Sequence, residues 1–501
     1  MPGSVTSSLG EQKVNPAFFR DFLVEQEGFS KNFVEKVVFP FMEGEGPIQF
    51  QIDSRQVVHA DVFVALPGVH HDGHAFVDRA FEKGACLAIV QQVRPYAGPC
   101  LVVDSPEAFL QRLATAWFAH CRESSTDRPY LYAITGSNGK TTTKEWLAQV
   151  LGQLRFGEGV FCNPGNWNTE IGTPLAIVRG LRTGHRAAVL EMGMEKLGDL
   201  ARLGAWFPPD VVGLLNVGSP HIGFTGSLEK TRQGKAELLR SAGEKKPRVL
   251  LWDDPQVRSL DEEIPGGPTY FFGKNIPHEL LDRSVWLVSN TLEWEQNQWQ
   301  SVLDLVAGGE SLRFRFSCPL HDGFALDFCA ALALAMAGGT HAASFRALDT
   351  LSFSLPGDRV QWVDFHANWL VFDHYNASLE SFEQVLQLLS RMKASAAIDG
   401  FSVVAGSIAE TGEKWQEIHR NLGTLLMGSG ADACFLFSRD PSILAAEELV
   451  EASKVVCDDP GEVARQVARF LQNKEKHALL FKASRSIRME EVIRDVLAFS
   501  D

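Results

Sequence analysis

The chain has 501 residues, 45% of them hydrophobic, and a formal net charge of −15. That length predicts about three domains, each burying an ordinary core. An acidic surface repels phosphate backbones and argues against a nucleic-acid partner, whereas a nucleotide substrate needs only one local basic loop.

In chain order, residues 1–15 are polar, with no apolar core behind a basic start, and no run of about 18 apolar residues occurs later. Neither a signal peptide nor membrane insertion is expected. Residues 1–125 carry short strand-like runs at 61–66 and 87–90, then a helical pattern over 106–120. The polar run Arg122-Glu123-Ser124-Ser125-Thr126-Asp127 reads as a linker. Residues 126–352 open with a strand over 130–134, a Gly-rich turn, and a helix from Lys140 whose Trp146, Leu147, Val150 and Leu151 share one face. Strands at 187–190, 211–216 and 249–252 alternate with helical stretches, which predicts a parallel sheet covered on both faces. A more β-rich stretch over 285–316 leads to an Ala-rich helix over 328–336. Residues 353–501 resume the alternation, with strands at 369–372, 401–405, 433–437 and 478–481 and helices at 379–392 and 489–497. They predict a second, smaller α/β domain. The eight cysteines are scattered, with no Cys-x-x-Cys pair, and read as buried thiols in a reducing, cytoplasmic setting.

The turn Thr135-Gly136-Ser137-Asn138-Gly139-Lys140-Thr141-Thr142 carries the clearest chemistry. Its two glycines permit backbone conformations closed to other residues, and its amides, with the following helix N-terminus, can point at phosphate oxygens. Lys140 adds positive charge at the outer phosphates, and Thr141 offers a hydroxyl to Mg²⁺. Ile134 stands where the usual loop has another glycine, so this is a shortened variant. Ligands of open α/β sheets gather at the carboxyl ends of strands, where Glu191 can hold the Mg²⁺ that travels with ATP. His221 follows the next strand, and Lys235 lies on the helix after it. Taken singly, Glu191 is a solvated strand end, His221 a structural loop residue, and Lys235 a solvated helix lysine.

These pieces in this order resemble the Mur ligase family over about 52–498. The N-terminal runs are Asp53-Ser54-Arg55, Phe63-Val64-Ala65-Leu66-Pro67-Gly68 and Asp72-Gly73-His74. The phosphate loop, Asn166-Trp167-Asn168 before Ile171-Gly172-Thr173-Pro174, Glu191-Met192-Gly193-Met194, Pro220-His221, Gly226-Ser227-Leu228-Glu229 and Lys235-Ala236-Glu237 follow. Beyond them come Pro356-Gly357-Asp358-Arg359, Asp373-His374-Tyr375-Asn376-Ala377-Ser378, Glu410-Thr411-Gly412-Glu413 and Lys482-Ala483-Ser484-Arg485-Ser486. The departures are Thr169 in place of an asparagine, Leu251 at the start of Leu251-Trp252-Asp253-Asp254 where an Asn is usual, Ala483 in place of a glycine, and residues 319–327, which do not follow the usual Gly-x-His-Asn segment.

The resemblance implies an α/β, three-domain Mur ligase architecture. A UDP-binding N-terminal α/β domain would span 1–125, a central P-loop ATPase domain with a parallel sheet 126–352, and a Rossmann-like C-terminal domain 353–501. It implies an ATP-dependent amide ligase that works through an acyl phosphate, as a monomer in cytoplasmic peptidoglycan precursor synthesis. The Asp373 to Ser378 run implies UDP-N-acetylmuramoyl-tripeptide and D-alanyl-D-alanine as substrates. By resemblance, Gly136, Ser137, Asn138, Gly139, Lys140, Thr141 and Thr142 hold the ATP phosphates, and Arg359, Asp373 and Asn376 approach the nucleotide when the last domain closes. Ser54, Arg55, Asp72 and His74 would bind the UDP moiety, with Asn166, Asn168 and Tyr375 at the rest of the substrate. Thr141 and Glu191 would hold one Mg²⁺. His221 would hold a second together with Lys235, provided that Lys235 is carbamylated, since a cationic amine is no metal ligand. Lys140, Glu191, His221 and Lys235 form the expected catalytic set. Three alternatives stay open: a related ligase adding another amino acid to a muramyl peptide or glutamate to folate, a catalytically inactive nucleotide-binding homologue, and an unrelated P-loop NTPase.

Overall fold

The computed structural model describes residues 13–38, 47–68, 71–124, 128–218, 227–295, 298–355, 359–409, 411–437 and 453–498. His221 lies outside the described residues, as do Ser219, Pro220, Gly226, Pro356, Gly357, Asp358 and Glu410. The chain divides into two compact units. The first comprises 1–133, 151–194 and 199–211, and the second 134–150, 195–198 and 212–501.

In the first unit, β1 (Phe50–Gln51), β2 (Val62–Val64), β3 (Leu87–Val90) and β4 (Cys100–Val102) form a parallel sheet in sequential order. One face packs Val57, Phe63, Ala65, Val77, Ala80, Ala88 and Val90 into a core. Helix α1 (Pro106–Glu123) starts where Ser105 Oγ accepts the Ala108 N–H at 3.1 Å, with proline at the first helical position. It buries Phe109, Leu113, Trp117 and Cys121, and the Trp117 indole donates to the Leu181 carbonyl at 3.0 Å. The helix runs on into the expected linker. Arg122 is polar but not solvated, because its guanidinium donates to Asp210 Oδ2 at 3.0 Å and to the Pro208 carbonyl at 3.0 Å. Strand β5 (Tyr130–Thr135) starts in this unit, and β6 (Val160–Cys162) pairs in parallel with β7 (Ala187–Glu191).

In the second unit, helix α2 (Lys140–Leu151) follows β5, and its Trp146, Leu147 and Val150 are wholly buried as the periodicity predicts. Strands β8 (Val211–Leu214), β9 (Arg248–Leu251), β10 (Thr269–Gly273) and the start of β11 (Ser284–Glu295) run parallel. The sheet then turns antiparallel through β12 (Gln298–Ala307) and β13 (Glu310–Phe316). The helix after it, α3 (Asp322–Ala337), starts six residues earlier than its composition suggested. The His321 imidazole caps it by accepting the Phe324 N–H at 3.2 Å. Asp322 is bound by Lys274 Nζ at 2.5 Å, Asn290 Nδ2 at 3.0 Å and Arg391 Nη1 at 2.8 Å. The last sheet has the order β14-β15-β19-β16-β17-β18 (Gln361–Phe365, Asn368–Asp373, His477–Lys482, Gly400–Gly406, Ala433–Phe437 and Ser453–Cys457). It is parallel except for the edge pair β14–β15. Helix α4 (Leu379–Ala394) opens with a capping box between Ser378 and Ser381.

Two buried histidines make this fold acid-sensitive. Burial pushes His321 and His477 down to about 4, so both stay neutral in the folded chain where the unfolded chain would already be charged. The stability they contribute is complete above pH 6.5 and is lost as pH falls towards 4, by up to about 3 kcal/mol each. Thermal melting should therefore drop over that window. The His477→Asn variant should show a shallower drop than the parent chain, measured by circular dichroism at half-unit pH steps.

Candidate active site

The phosphate loop spans the gap between β5 and α2, and a side chain the sequence reading had not singled out holds it in shape. Asn216 Oδ1 accepts the N–H groups of Ser137 at 2.9 Å and Asn138 at 2.8 Å, and Asn216 Nδ2 donates to the Asn138 carbonyl at 3.1 Å. Ser137 Oγ accepts the Gly218 N–H at 2.8 Å. Two of the loop's amides are therefore already committed to Asn216. Gly139 has φ +83°, and a Cβ there would overlap Asp327 Oδ1. Glycine is required twice over, by backbone conformation and by space. Lys140 Nζ folds onto the loop, donating to the Gly136 carbonyl at 2.8 Å and the Ser137 carbonyl at 3.1 Å.

Behind the loop, ionisable groups are buried. Asp327, on α3, is buried, and that burial raises its carboxyl well above the usual range against the opposing pull of Arg359, the Thr143 hydroxyl and Lys140. Its position within the segment that departs from the family pattern gave no sign of this role. Arg359 Nη1 donates to Thr142 Oγ1 at 3.2 Å, and its guanidinium lies 5.1 Å above the Tyr375 ring. Three expected ligand residues thus meet: Thr142, Arg359 and Tyr375. Lys235, on the helix Leu228–Ser241, is 2% exposed. Burial, then the like charge of Lys140, hold its amine well below the usual lysine range. Among the described residues, no carboxylate forms an ion pair with it, and no group of three or more His, Cys, Asp or Glu side chains is arranged to hold a metal.

In the first unit, Glu191 is buried at the end of β7, and Asn168 Nδ2 donates to its Oε1 at 2.6 Å. The Asn166 carbonyl accepts the Asn168 N–H at 2.8 Å, closing the turn that presents this amide. Ser54 is buried, whereas Arg55 is exposed and bidentate on Asp53, with Nη2–Oδ2 at 2.8 Å and Nε–Oδ1 at 3.0 Å. Those hydrogen bonds from Arg55 hold the Asp53 carboxyl down at about 2. Asp72 Oδ1 accepts the His74 N–H at 3.0 Å and lies 2.6 Å from His74 Nδ1. His74 Nε2 accepts the Gln91 N–H at 2.9 Å. That nitrogen therefore carries no proton, and the ring donates from Nδ1 to Asp72. In the last sheet, Asp373 forms a buried ion pair with Lys482, and Asn376 Oδ1 accepts the Ala377 N–H at 2.8 Å.

Two substitutions test the loop. Asn216→Ala removes three hydrogen bonds at neutral or near-neutral groups, and should weaken adenine-nucleotide binding about tenfold or more in titration calorimetry. Gly139→Ala forces a left-handed alanine against Asp327, and should abolish nucleotide binding at a lowered melting temperature.

Family models match three consecutive stretches: the "Mur ligase family, catalytic domain" over residues 49–116, the "Mur ligase middle domain" over 134–309, and the "Mur ligase, glutamate ligase domain" over 358–485. The chain is 31% identical over 457 residues to the UDP-N-acetylmuramoyl-tripeptide–D-alanyl-D-alanine ligase of Synechocystis sp., covering 89% of this chain and 91% of that protein. It is 27% identical to the Bacillus subtilis ligase of the same name, covering 89% and 92%. Among solved structures, the MurF ligase from Thermotoga maritima in complex with ADP superposes with a TM-score of 0.75 at 30% identity, covering 89% of this chain and 96% of that one. Similarity of this depth along nine-tenths of both chains means that the protein belongs to the Mur ligase family.

Proposed function

We propose that the chain joins D-alanyl-D-alanine to UDP-N-acetylmuramoyl-tripeptide at the expense of ATP. The observation that carries the reading is the 31% identity to a ligase of that name along nearly its whole length. A nucleotide-binding homologue, or a ligase for another amino acid, would share the loop at 135–142 without needing the Asp373 to Ser378 run. The reading includes residues 1–125 as the UDP-sugar domain, 126–352 as the ATP domain and 353–501 as the domain that closes on them. It also includes a monomer acting in the cytoplasm. No described helix is long and apolar enough to cross a membrane, and no disulfide joins the described cysteines.

A carboxylate is a poor electrophile and hydroxide a poor leaving group, so the peptide carboxylate must be activated first. One of its oxygens attacks the γ-phosphorus of ATP, and ADP leaves. The amine of D-alanyl-D-alanine then adds to the acyl phosphate, loses a proton and expels phosphate. The protein's part is positioning and charge neutralisation. In this reading Lys140 unfolds from the loop carbonyls to the outer phosphates, Arg359 is poised on Thr142 to join it, and Asp373 and Asn376 approach the nucleotide. Ser54, Arg55, Asp72 and His74 bind the UDP moiety, with Asn166, Asn168 and Tyr375 along the peptide.

The reading also includes Mg²⁺: by family resemblance Thr141 and Glu191 would each supply an oxygen to one ion, and His221 and Lys235 would hold another if Lys235 is a carbamate. Support comes from the burial of Lys235, which lowers its pKa and so favours the neutral amine, the form that is a nucleophile towards CO₂. The resulting anion would also replace its repulsion from Lys140 by attraction. Bound Mg²⁺ supplies charge neutralisation at the phosphate oxygens.

Phosphate release should require ATP, UDP-N-acetylmuramoyl-tripeptide and D-alanyl-D-alanine together, and should fail when any one is omitted or when glutamate or meso-diaminopimelate replaces the dipeptide. Turnover with either of those amino acids instead would overturn the assignment. For the carbamate, Lys235→Ala should lose about a hundredfold or more in kcat and regain part of it with short carboxylic acids. Full activity of that variant would sink the idea.

A further inference from the structure

We infer that Asn163 is a positioning residue that locks Glu191 and the loop 163–168 into one rigid piece; the inference rests on the reading of Glu191 as an Mg²⁺ ligand. Strand β6 ends at Cys162, whose register partner on β7 is Val189. The ladder stops there, two residues short of the carboxylate. The Asn163 side chain takes over the pairing, because a carboxamide carries the same donor and acceptor as a peptide unit. Its Oδ1 accepts the Glu191 N–H at 2.9 Å, and its Nδ2 donates to the Glu191 carbonyl at 2.9 Å. The same Nδ2 donates to the Trp167 carbonyl at 2.8 Å. Asn163 is fully buried, so these contacts do not compete with water.

The other end of the loop closes on the same glutamate. Asn168 Nδ2 holds Glu191 Oε1 at 2.6 Å, and the Asn168 carbonyl accepts the Gly193 N–H at 2.8 Å. Gly193 has no room for a side chain, since a Cβ would sit 2.9 Å from Asn168 Oδ1. Asn163 thus fixes the peptide planes on both sides of Glu191, and Asn168 fixes one carboxylate oxygen. With the backbone pinned, the carboxylate has few orientations left, and a metal ion meets a pre-aimed ligand. The loop that would meet the peptide substrate is held by the same amide, which couples peptide binding to metal binding.

The test is steady-state kinetics of the full-length enzyme with Mg²⁺ varied at saturating ATP, tripeptide and dipeptide. Asn163→Ala should raise half-saturating Mg²⁺ about tenfold and raise KM for the UDP-linked tripeptide, with KM for D-alanyl-D-alanine unchanged and most of kcat recovered at high Mg²⁺. Asn163→Asp keeps the acceptor but turns an oxygen towards two carbonyls, so it should be worse than alanine. Asn163→Ser, a milder cut, should fall between alanine and the parent chain and serves if the others fold poorly. Melting curves with ATP and increasing Mg²⁺ accompany each variant, and a folded Asn163→Ala chain should need about tenfold more Mg²⁺ than the parent for the same rise in melting temperature. An unchanged Mg²⁺ requirement in a folded Asn163 variant, beside a raised one in Glu191→Gln, would overturn the positioning role alone. An unchanged requirement in Glu191→Gln would remove the metal-ligand reading and this inference with it.

Discussion

The geometry of the phosphate loop depends on one carboxamide. A loop of four residues between a strand and a helix has more amide donors than its own carbonyls can satisfy, and left alone it would sample many shapes. Asn216, at the end of the neighbouring segment, collects two of those donors on one oxygen and returns one hydrogen to the loop. Lys140, meanwhile, is held by the loop's own carbonyls at 2.8 and 3.1 Å, so its charge stays at the loop. The arrangement is preorganised for an anion: binding exchanges hydrogen bonds to Lys140 rather than building a new backbone conformation.

That preorganisation explains the unusual burial of charge-bearing groups around the loop. Lys140 acts on Lys235 and on Asp327 alike, and burial suppresses the ionisation of both, from opposite directions. A low-dielectric wall behind the loop would strengthen every interaction with an anion held in front of it. It is tolerated because the groups in it can shed their charge. Arg359, which cannot, is instead spread over a hydroxyl, an aromatic face and a carboxyl.

The frame was legible in the sequence where one physical signal dominated. The strand–glycine–helix pattern at 130–151 depends on local sterics and periodicity, and it was read directly. So was the alternation of strands and helices in 353–501. The start of α3 was hidden because that helix is buried on nearly every side, leaving no amphipathic stripe to count from. The end of α1 was misread as linker because Arg122, polar in sequence, finds its partners in Asp210 and Pro208, far along the chain. The antiparallel pairing of β11, β12 and β13 follows from register, which a merely β-rich stretch does not specify. At the site, the residues singled out in the sequence carry a chemical signature, and the residues that hold them do not. Asn216, Asp327 and Asn163 act through hydrogen bonds and close packing to partners set by the fold, and nothing in their immediate sequence distinguishes them from surface residues.

Amides rather than charges do this holding, and the choice has a physical basis. An aspartate at 216 would still accept the two loop N–H groups, but it would face the Asn138 carbonyl with an oxygen and add negative charge beneath a phosphate site. At 163 it would face two carbonyls. A lysine or arginine would donate but not accept, and so could not bind both the N–H and the carbonyl of Glu191. A serine or threonine hydroxyl is too short to bridge partners on two segments. The carboxamide offers donor and acceptor on one planar group with no net charge, in the spacing of a peptide unit. It can fix a backbone beside a phosphate or a metal ligand without shifting the balance of charge that those ligands depend on.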